Sequence, residues 1–168
     1  MSDRPANSRV SAGILLFRQT VSGVEVLLGH PGGPYFAGKD AGTWSIPKGQ
    51  VEDGERLLDV AKREFGEETG HVVGSSARMI ELGAVKQRGG KTVHAWAVEG
   101  DMDPSQAWSN RFQMEWPPHS GLFIEVPELD RVAWFTPDEA RIVMNPGQAP
   151  LVDLLLEALR GTVGTDGE

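Results

Sequence analysis

Three glutamates near the end of one predicted helix could hold a metal ion. Glu64, Glu67 and Glu68 stand at positions i, i+3 and i+4 within residues 56–69, so their side chains project from one helix surface. At about 100° per residue, Glu64 and Glu68 fall within roughly 20° of Leu57, on the apolar stripe that should face the core. The carboxylates repel one another there and oppose the helix dipole. A hard divalent cation, Mg²⁺ or Mn²⁺, would remove both penalties.

The alternative interpretation of these glutamates is a solvated acidic helix end, which is common on protein surfaces. Their overlap with the apolar stripe argues against it, because a purely structural helix has no reason to turn carboxylates towards the core. The glycine-containing loop that precedes the helix supports a metal site as well. The spacing therefore favours a metal-binding cluster.

The segment Gly49–His71 resembles the Nudix box, G-x5-E-x7-R-E-U-x-E-E-x-G-U, in which U is a bulky apolar residue. The matching positions are Gly49, Glu55, Arg63, Glu64, Phe65, Glu67, Glu68 and Gly70. One position departs from the pattern, since the last U is His71, and this concerns local packing more than chemistry. A wider resemblance to a bacterial branch of small Nudix proteins covers about residues 11–159.

The resemblance implies an α/β fold, a Nudix-type α/β/α sandwich with a mixed sheet. It also implies an Mg²⁺-dependent pyrophosphohydrolase, with Mn²⁺ as a possible substitute, that cleaves a nucleoside diphosphate linked to another moiety. Glu64, Glu67 and Glu68 would then bind the metal together with the Gly49 carbonyl. Glu64 is also a candidate to orient or deprotonate the attacking water. Arg63, counted with the three glutamates as catalytic, would pair with Glu55 and brace the loop against the helix.

Substrate contacts are predicted outside the box. Lys48 directly precedes Gly49 and resembles a phosphate-contacting cation, and Trp44 belongs to a W-x-x-P-K-G stretch similar to that of dinucleoside polyphosphate hydrolases. Tyr35 could stack on a nucleobase, although a role as a core plug is equally open. Arg111 could clamp a phosphate, with a structural Trp-Pro-Pro corner as the alternative for its surroundings.

Many Nudix enzymes recruit a further acid from beyond the box. The candidates here are Glu125, predicted as a metal ligand, and Glu115. His94 alternates with apolar neighbours on a predicted strand, where a histidine is more often a structural residue.

The favoured substrate is a dinucleoside polyphosphate or another nucleoside polyphosphate, because of Trp44 and the Pro-Lys-Gly stretch. An oxidised-nucleotide pyrophosphohydrolase of the 8-oxo-dGTP type is the alternative. A non-catalytic nucleotide-sensing module is a third possibility, but such modules usually have broken box acids. All three acids are intact here.

Mixed strands and helices must position these residues. The pattern predicts strands at residues 9–17, 24–29, 44–46, 79–86, 91–99, 122–126 and 131–135, and helices at residues 56–69, 137–143 and 151–159. Gly70 should stop the first helix, and Thr136 should cap the second. Residues 30–42 and 100–120 are predicted loops. We expect one domain over residues 9–160, between a flexible N-terminus at 1–8 and a flexible tail at 161–168.

Composition limits the partners. The chain has 168 residues and no cysteine. Its formal net charge of −8 argues against general nucleic-acid or anionic-membrane binding. No stretch is long and apolar enough for a membrane span. We expect a cytoplasmic protein, a monomer or homodimer, whose partner is a small nucleotide.

Overall fold

The computed structural model describes residues 9–163, with side chains as far as residue 161. Within this range the strands are β1 (Val10–Thr20), β2 (Gly23–Pro31), β3 (Lys48–Gln50), β4 (Met79–Lys86), β5 (Thr92–Glu99), β6 (Arg111–Glu115), β7 (Phe123–Pro127) and β8 (Leu129–Phe135). The α-helices are α1 (Leu57–Thr69), α2 (Pro137–Val143) and α3 (Pro150–Val163). The predicted flexible segments at 1–8 and 164–168 lie outside the described residues.

Six strands form one mixed sheet in the order β4-β5-β1-β2-β8, with β3 paired to β1. The β1–β5 pair is parallel and the other pairs are antiparallel. Helix α1 covers one face of the sheet, and α2 and α3 cover the other. The predicted α/β/α sandwich is confirmed.

Strand β1 lies between both helix layers, which explains its unbroken apolar run. Ile14 and Leu16 pack in the core cluster that contains α1, whereas Leu15 and Phe17 pack in the cluster that contains α3. Because side chains alternate between the faces of a strand, a strand buried on both faces needs apolar residues at successive positions.

Helix α1 ends where the sequence predicts. Gly70 adopts the left-handed conformation at φ 77°, and its N–H donates to the Gly66 carbonyl at 2.8 Å. Two further amides satisfy the last carbonyls of the helix: Trp108 N donates to Thr69 O at 2.9 Å, and Asn110 N donates to Glu67 O at 2.7 Å. The loop after β5 therefore fixes the end of the helix that carries the glutamates.

Three sequence predictions of local structure are corrected. Residues 44–46 make only isolated bridges, and the strand in this region is β3, which follows them. The predicted loop at residues 100–120 contains a short 3-10 helix, Pro104–Gln106, and strand β6, which pairs with β7 in a separate two-stranded sheet. Residues 161–163, predicted as flexible, continue α3.

No helix in the described part of the chain is long and apolar enough to cross a membrane.

Candidate active site

The three box glutamates differ in exposure although they share one end of α1. Helix α1 buries Phe65 together with Glu68, which is only 6% exposed. The side chain of Glu64 is 18% exposed and that of Glu67 is 45% exposed. The predicted inward orientation is therefore observed for Glu68 and partly for Glu64, while Glu67 stands at the rim.

Gly49 lies directly beneath the carboxylate of Glu64. A Cβ atom built at Gly49 would lie 2.1 Å from Cδ of Glu64 and 2.4 Å from each of its carboxylate oxygens. Strand β3 is held in this place because Gly49 pairs with Ala12 of β1. Only glycine leaves room for Glu64 here, so the loop and the helix of the box are in contact as the resemblance implies.

Glu68 and Lys48 meet in a poorly solvated region. The backbone N–H of Lys48 donates to Oε2 of Glu68 at 2.8 Å. Burial raises the pKa of Glu68 to about 8, and the negative charges of Glu128 and Glu64 act in the same direction. Burial also lowers the pKa of Lys48, more than the nearby glutamates raise it. Desolvation therefore outweighs the mutual attraction of these two side chains.

Glu128 is an acid from beyond the box that lies beside the cluster and that the sequence does not single out. It sits between β7 and β8, its backbone N–H donates to the Asn110 carbonyl at 2.9 Å, and its side chain lines the same cavities as Lys48 and Glu68. Burial raises the pKa of its carboxyl group, against the opposing effect of Lys48. The local sequence offers no periodic signal for this position, because a turn residue's direction is set by the strands on either side.

Arg63 and Glu55 form the expected brace. Nη1 of Arg63 donates to the Glu55 carboxylate, whose other oxygen accepts from the Glu52 N–H at 3.0 Å. The hydrogen bond from Arg63 lowers the pKa of Glu55. Arg63 Nη2 also lies 3.7 Å from Oε1 of Glu64, so the brace reaches the acid cluster from its exposed side.

Two cavities meet at the cluster. A cavity of about 400 Å³ is lined by Tyr35, Phe36 and Lys39 on one wall. A second cavity of about 350 Å³ is lined by Arg9, Ser11, Gly49, Gln50, Glu64 and Lys91. Lys48, Glu68 and Glu128 line both. Glu68 and Glu128 thus form part of a wall that the two cavities share, and each cavity is lined by both cationic and acidic side chains.

Tyr35 and Trp44, both predicted to contact substrate, have different surroundings. Tyr35 is 56% exposed and lines the larger cavity. Trp44 is 3% exposed, its Nε1 donates to Asp40 at 3.1 Å, and its ring packs edge-on against Phe135. Trp44 therefore packs in the core and does not line the cavities, and its bond to Asp40 holds the loop of residues 32–42.

The other predicted residues lie on the β6–β7 hairpin. Arg111 Nε and Glu125 Oε1 form an exposed ion pair at 3.2 Å, and Glu115 accepts from the His119 N–H at 2.6 Å. Among the described residues, neither Arg111 nor Glu125 lines the cavities at the acid cluster. Arg111, Glu115 and Glu125 therefore do not join the predicted substrate and metal residues at the cavities.

The cluster matches a divalent cation in donor chemistry and charge. As the side chains stand within residues 9–163, no three acidic or histidine side chains converge closely enough to enclose a metal ion. The carboxylates of Glu64, Glu67 and Glu68 and the Gly49 carbonyl are nevertheless the oxygen donors that Mg²⁺ prefers. Burial and the charge of Glu67 raise the pKa of Glu64, and a cation would relieve the same repulsion.

Comparisons with known proteins agree with this arrangement. A 17.7 kDa protein of phage T4, from the e-segB intergenic region, is 28% identical over 138 residues, covering 82% of this chain and 88% of that protein. An 8-oxo-(d)GTP phosphatase of Mycolicibacterium smegmatis is 37% identical over 65 residues, covering 37% of this chain and only 20% of that protein. The crystal structure of a Caenorhabditis elegans Ap4A hydrolase binary complex superposes with a TM-score of 0.65 at 19% identity, covering 90% of this chain and 98% of that one.

The structural likeness shows the fold, and the family follows from the sequence. The family model of the NUDIX domain matches residues 7–155, a range that contains the acid cluster, both cavities and most of the core. Members of this family generally use divalent metal ions. The chain belongs to the NUDIX domain family and is a Nudix pyrophosphohydrolase.

Proposed function

We propose that the protein hydrolyses a phosphoanhydride bond of a nucleoside polyphosphate with Mg²⁺, and that dinucleoside polyphosphates are its favoured substrates. Mn²⁺ is a possible substitute. The observation that carries this proposal is the position of Glu68 and Glu128 between two cavities that place lysine and arginine side chains close to the acids. Such a site can receive a polyanionic chain across the metal cluster and a nucleoside on at least one side.

The proposed division of labour among the acids follows from their surroundings. Glu64, Glu67, Glu68 and the Gly49 carbonyl would hold the cation, which neutralises phosphate charge and lowers the pKa of bound water when present. Glu64 is held against Gly49 and has a raised pKa, which suits a carboxylate that accepts a proton from water near neutral pH. Glu128, which faces Lys48, is a second candidate for this role. Arg63 orients Glu64 through the brace to Glu55.

Cations and one aromatic wall would bind the substrate. Lys48 lines both cavities, Lys39 lines the larger one, and Arg9 and Lys91 line the smaller one. In-line attack at phosphorus mainly requires positioning and charge stabilisation, which such cations supply. Tyr35 is exposed on the wall of the larger cavity, where stacking on a nucleobase would contribute about 1–3 kcal/mol.

The alternative substrate is an oxidised nucleoside triphosphate of the 8-oxo-dGTP type. The segment that is 37% identical to an 8-oxo-(d)GTP phosphatase favours it. A nucleotide sensor without turnover is less consistent with the molecule, because Glu64, Glu67 and Glu68 are all present.

The excess of negative charge, −8 in total, fits a small nucleotide partner better than a nucleic acid or an anionic membrane. We expect the enzyme to act in the cytoplasm as a monomer or homodimer.

The proposal is tested by phosphate release with Mg²⁺ over a nucleotide panel. The panel holds diadenosine polyphosphates, normal and oxidised nucleoside triphosphates, ADP-ribose and nucleotide sugars, and Glu64→Gln serves as the blank. We expect the highest kcat/KM with a diadenosine polyphosphate and a loss of at least about 1,000-fold in the variant. A preference for the oxidised triphosphate selects the alternative. A flat panel from folded, Mg²⁺-binding protein selects the sensor.

A further inference from the structure

A buried histidine joins the sheet to the loop that lines the larger cavity. His30, near the end of β2, is 2% exposed. Its Nδ1 lies 2.9 and 3.0 Å from the two carboxylate oxygens of Asp130 on β8, and its Nε2 lies 2.6 Å from the backbone carbonyl oxygen of Lys39. Because a carbonyl oxygen can only accept, Nε2 is the donor in the bond to the loop.

The loop held in this way, residues 32–42, carries three side chains of the cavity wall, Tyr35, Phe36 and Lys39. Lys39 Nζ lies 3.8 Å from the centre of the Tyr35 ring, so these two side chains form one surface. The loop is rich in glycine and proline and has no helix or sheet of its own to order it. Its conformation therefore depends on bonds to its surroundings.

The next residue of the loop is anchored to the same part of the sheet. Asp40 accepts from Nε1 of the buried Trp44 and from Nη2 of Arg131, each at 3.1 Å. Residue 39 is therefore tied to Asp130 of β8 through His30, and residue 40 is tied directly to the next residue of that strand, Arg131. The donors His30 and Trp44 are both buried, so their two bonds compete less with water than the exposed bond from Arg131 does.

We propose that His30, braced by Asp130, is a positioning residue that fixes the Tyr35–Lys39 surface as the nucleotide-binding wall of the larger cavity. The hydrogen bonds and the ion pair described for His30 and Asp130 include no residue of the acid cluster. It acts on substrate binding by reducing the disorder of the loop before the substrate arrives. This inference rests on the proposed nucleotide site, and its test includes a measurement that needs no substrate.

Two substitutions of His30 separate its two hydrogen bonds. The amide nitrogen of asparagine stands near the Nδ1 position, so His30→Asn can keep the bond to Asp130 and loses the bond to the loop. The amide nitrogen of glutamine stands near the Nε2 position, so His30→Gln can keep the bond to the loop and loses the brace. Asp130→Ala removes the brace at a partly exposed position and leaves the ring in place.

The expected effect is a rise in KM for diadenosine tetraphosphate with kcat unchanged within about twofold. For His30→Asn the rise should be about 5- to 10-fold, the equivalent of one buried hydrogen bond. For His30→Gln and Asp130→Ala it should be about two- to threefold, since the bond to the loop remains. A general loss of packing would lower the melting temperature of the two His30 variants alike. It would not make KM higher in His30→Asn than in His30→Gln and Asp130→Ala.

Limited proteolysis with chymotrypsin, without metal or nucleotide, measures the loop directly. Cleavage after Tyr35 and Phe36 should be several-fold faster in His30→Asn than in the wild type and in His30→Gln, because local opening governs the rate. His94→Asn is the matched control: His94 lies on β5, two strands away from β2, pairs with Glu81 at 2.9 Å and lines neither cavity. It should change neither cleavage nor KM.

The outcomes are distinct. Faster cleavage in His30→Asn, together with the ordered rise in KM, supports the positioning role. Equal cleavage and equal KM in His30→Asn and His30→Gln overturn it, as does a fall in kcat with KM unchanged. If the wild type turns over no nucleotide, the proposed function fails, and the cleavage rates still decide whether His30 holds the loop.

Discussion

Glu125 and Glu128 are three positions apart, yet their environments are opposite. Glu125 lies on β7 with a side chain that is 57% exposed and paired with Arg111. Glu128 lies in the turn between β7 and β8, lines both cavities and has a pKa that is raised by burial. The carboxylate of Glu125 pairs with an exposed arginine, whereas the half-buried carboxylate of Glu128 lies near Lys48.

The difference arises from the two sheets. Strand β7 belongs to the separate two-stranded sheet with β6, whereas β8 is the edge of the six-stranded sheet. Between Glu125 and Glu128 the chain therefore passes from an exposed hairpin to the rim of the main cavities. The burial of each glutamate, and hence its pKa, depends on the strands beside it. The number of residues between the glutamate and the box does not predict it.

Among the variants that test the difference between buried and exposed acids, the largest effect is expected at Gly49, which leaves room for the partly buried carboxylate of Glu64. In Gly49→Ala the new Cβ would lie 2.1 Å from Cδ of Glu64, so the carboxylate must move. We expect kcat to fall at least about 100-fold, because displacement by about 1 Å is enough for such a loss. Gly74→Ala is the control, since a Cβ there meets no atom within 4 Å. A kcat for Gly49→Ala within threefold of the wild type would contradict the arrangement.

Replacing Glu125 and Glu128 in turn with glutamine tests whether their different environments give them different roles in catalysis. Glu128→Gln should lower kcat by about 10- to 100-fold, because it removes a charge and a proton acceptor beside the proposed metal site. Glu125→Gln should change kcat by less than about twofold, since only an exposed ion pair is lost. The ratio of the two kcat values, measured at saturating Mg²⁺, shows whether the two glutamates differ in catalysis. Equal effects would mean that burial does not distinguish the two acids in catalysis.

Glu68 should make the metal-free protein less stable at alkaline pH. Burial raises the pKa of Glu68 to about 8, above the value of about 4.3 expected when unfolded. The folded state therefore favours the protonated form, and its stabilising contribution is lost as the pH rises through this interval. Glu68→Gln removes the titration and keeps an acceptor for the Lys48 N–H.

In EDTA, we expect Glu68→Gln to match the wild type near pH 4.5 and to melt several degrees higher at pH 8.5. About 1 kcal/mol corresponds to 2–4 °C for a chain of this size. Glu67→Gln, at an exposed position on the same helix, is the control for charge alone. A melting-temperature difference between Glu68→Gln and the wild type that does not grow with pH would show that the carboxyl group is better solvated than its burial suggests.

The parts of the site that could be predicted from the sequence are those made by local geometry. The helical period places Glu64 and Glu68 on the buried stripe of α1, and Gly70 ends that helix as expected. Pro137–Val143 with its Thr136 cap is likewise a local pattern, and the helix begins and ends at the predicted residues.

The remainder depends on contacts between distant segments. Glu128 meets Glu68 only because β8 pairs with β2 and the turn before β8 is held by Asn110. Trp44 resembles a substrate-binding residue by its position in the motif, but its side chain packs into the core against His30 and Phe135. The sequence pattern indicates loop where β6 lies, because a short strand in an exposed two-stranded hairpin has no buried face to give it a periodic pattern.

The smallest expected effect is at Arg111, on the exposed side of the comparison. Arg111→Ala should change the free energy of unfolding by less than about 1 kcal/mol, because the pair with Glu125 is screened by water and salt. kcat and KM should stay within about twofold of the wild type, since the side chain lines neither cavity at the acid cluster. Steady-state kinetics at low and physiological salt measure kcat and KM, and denaturant unfolding measures the free energy. A tenfold rise in KM would mean that the β6–β7 hairpin bends over the substrate in solution, and Arg111 would then regain the phosphate-binding role that its sequence context suggests.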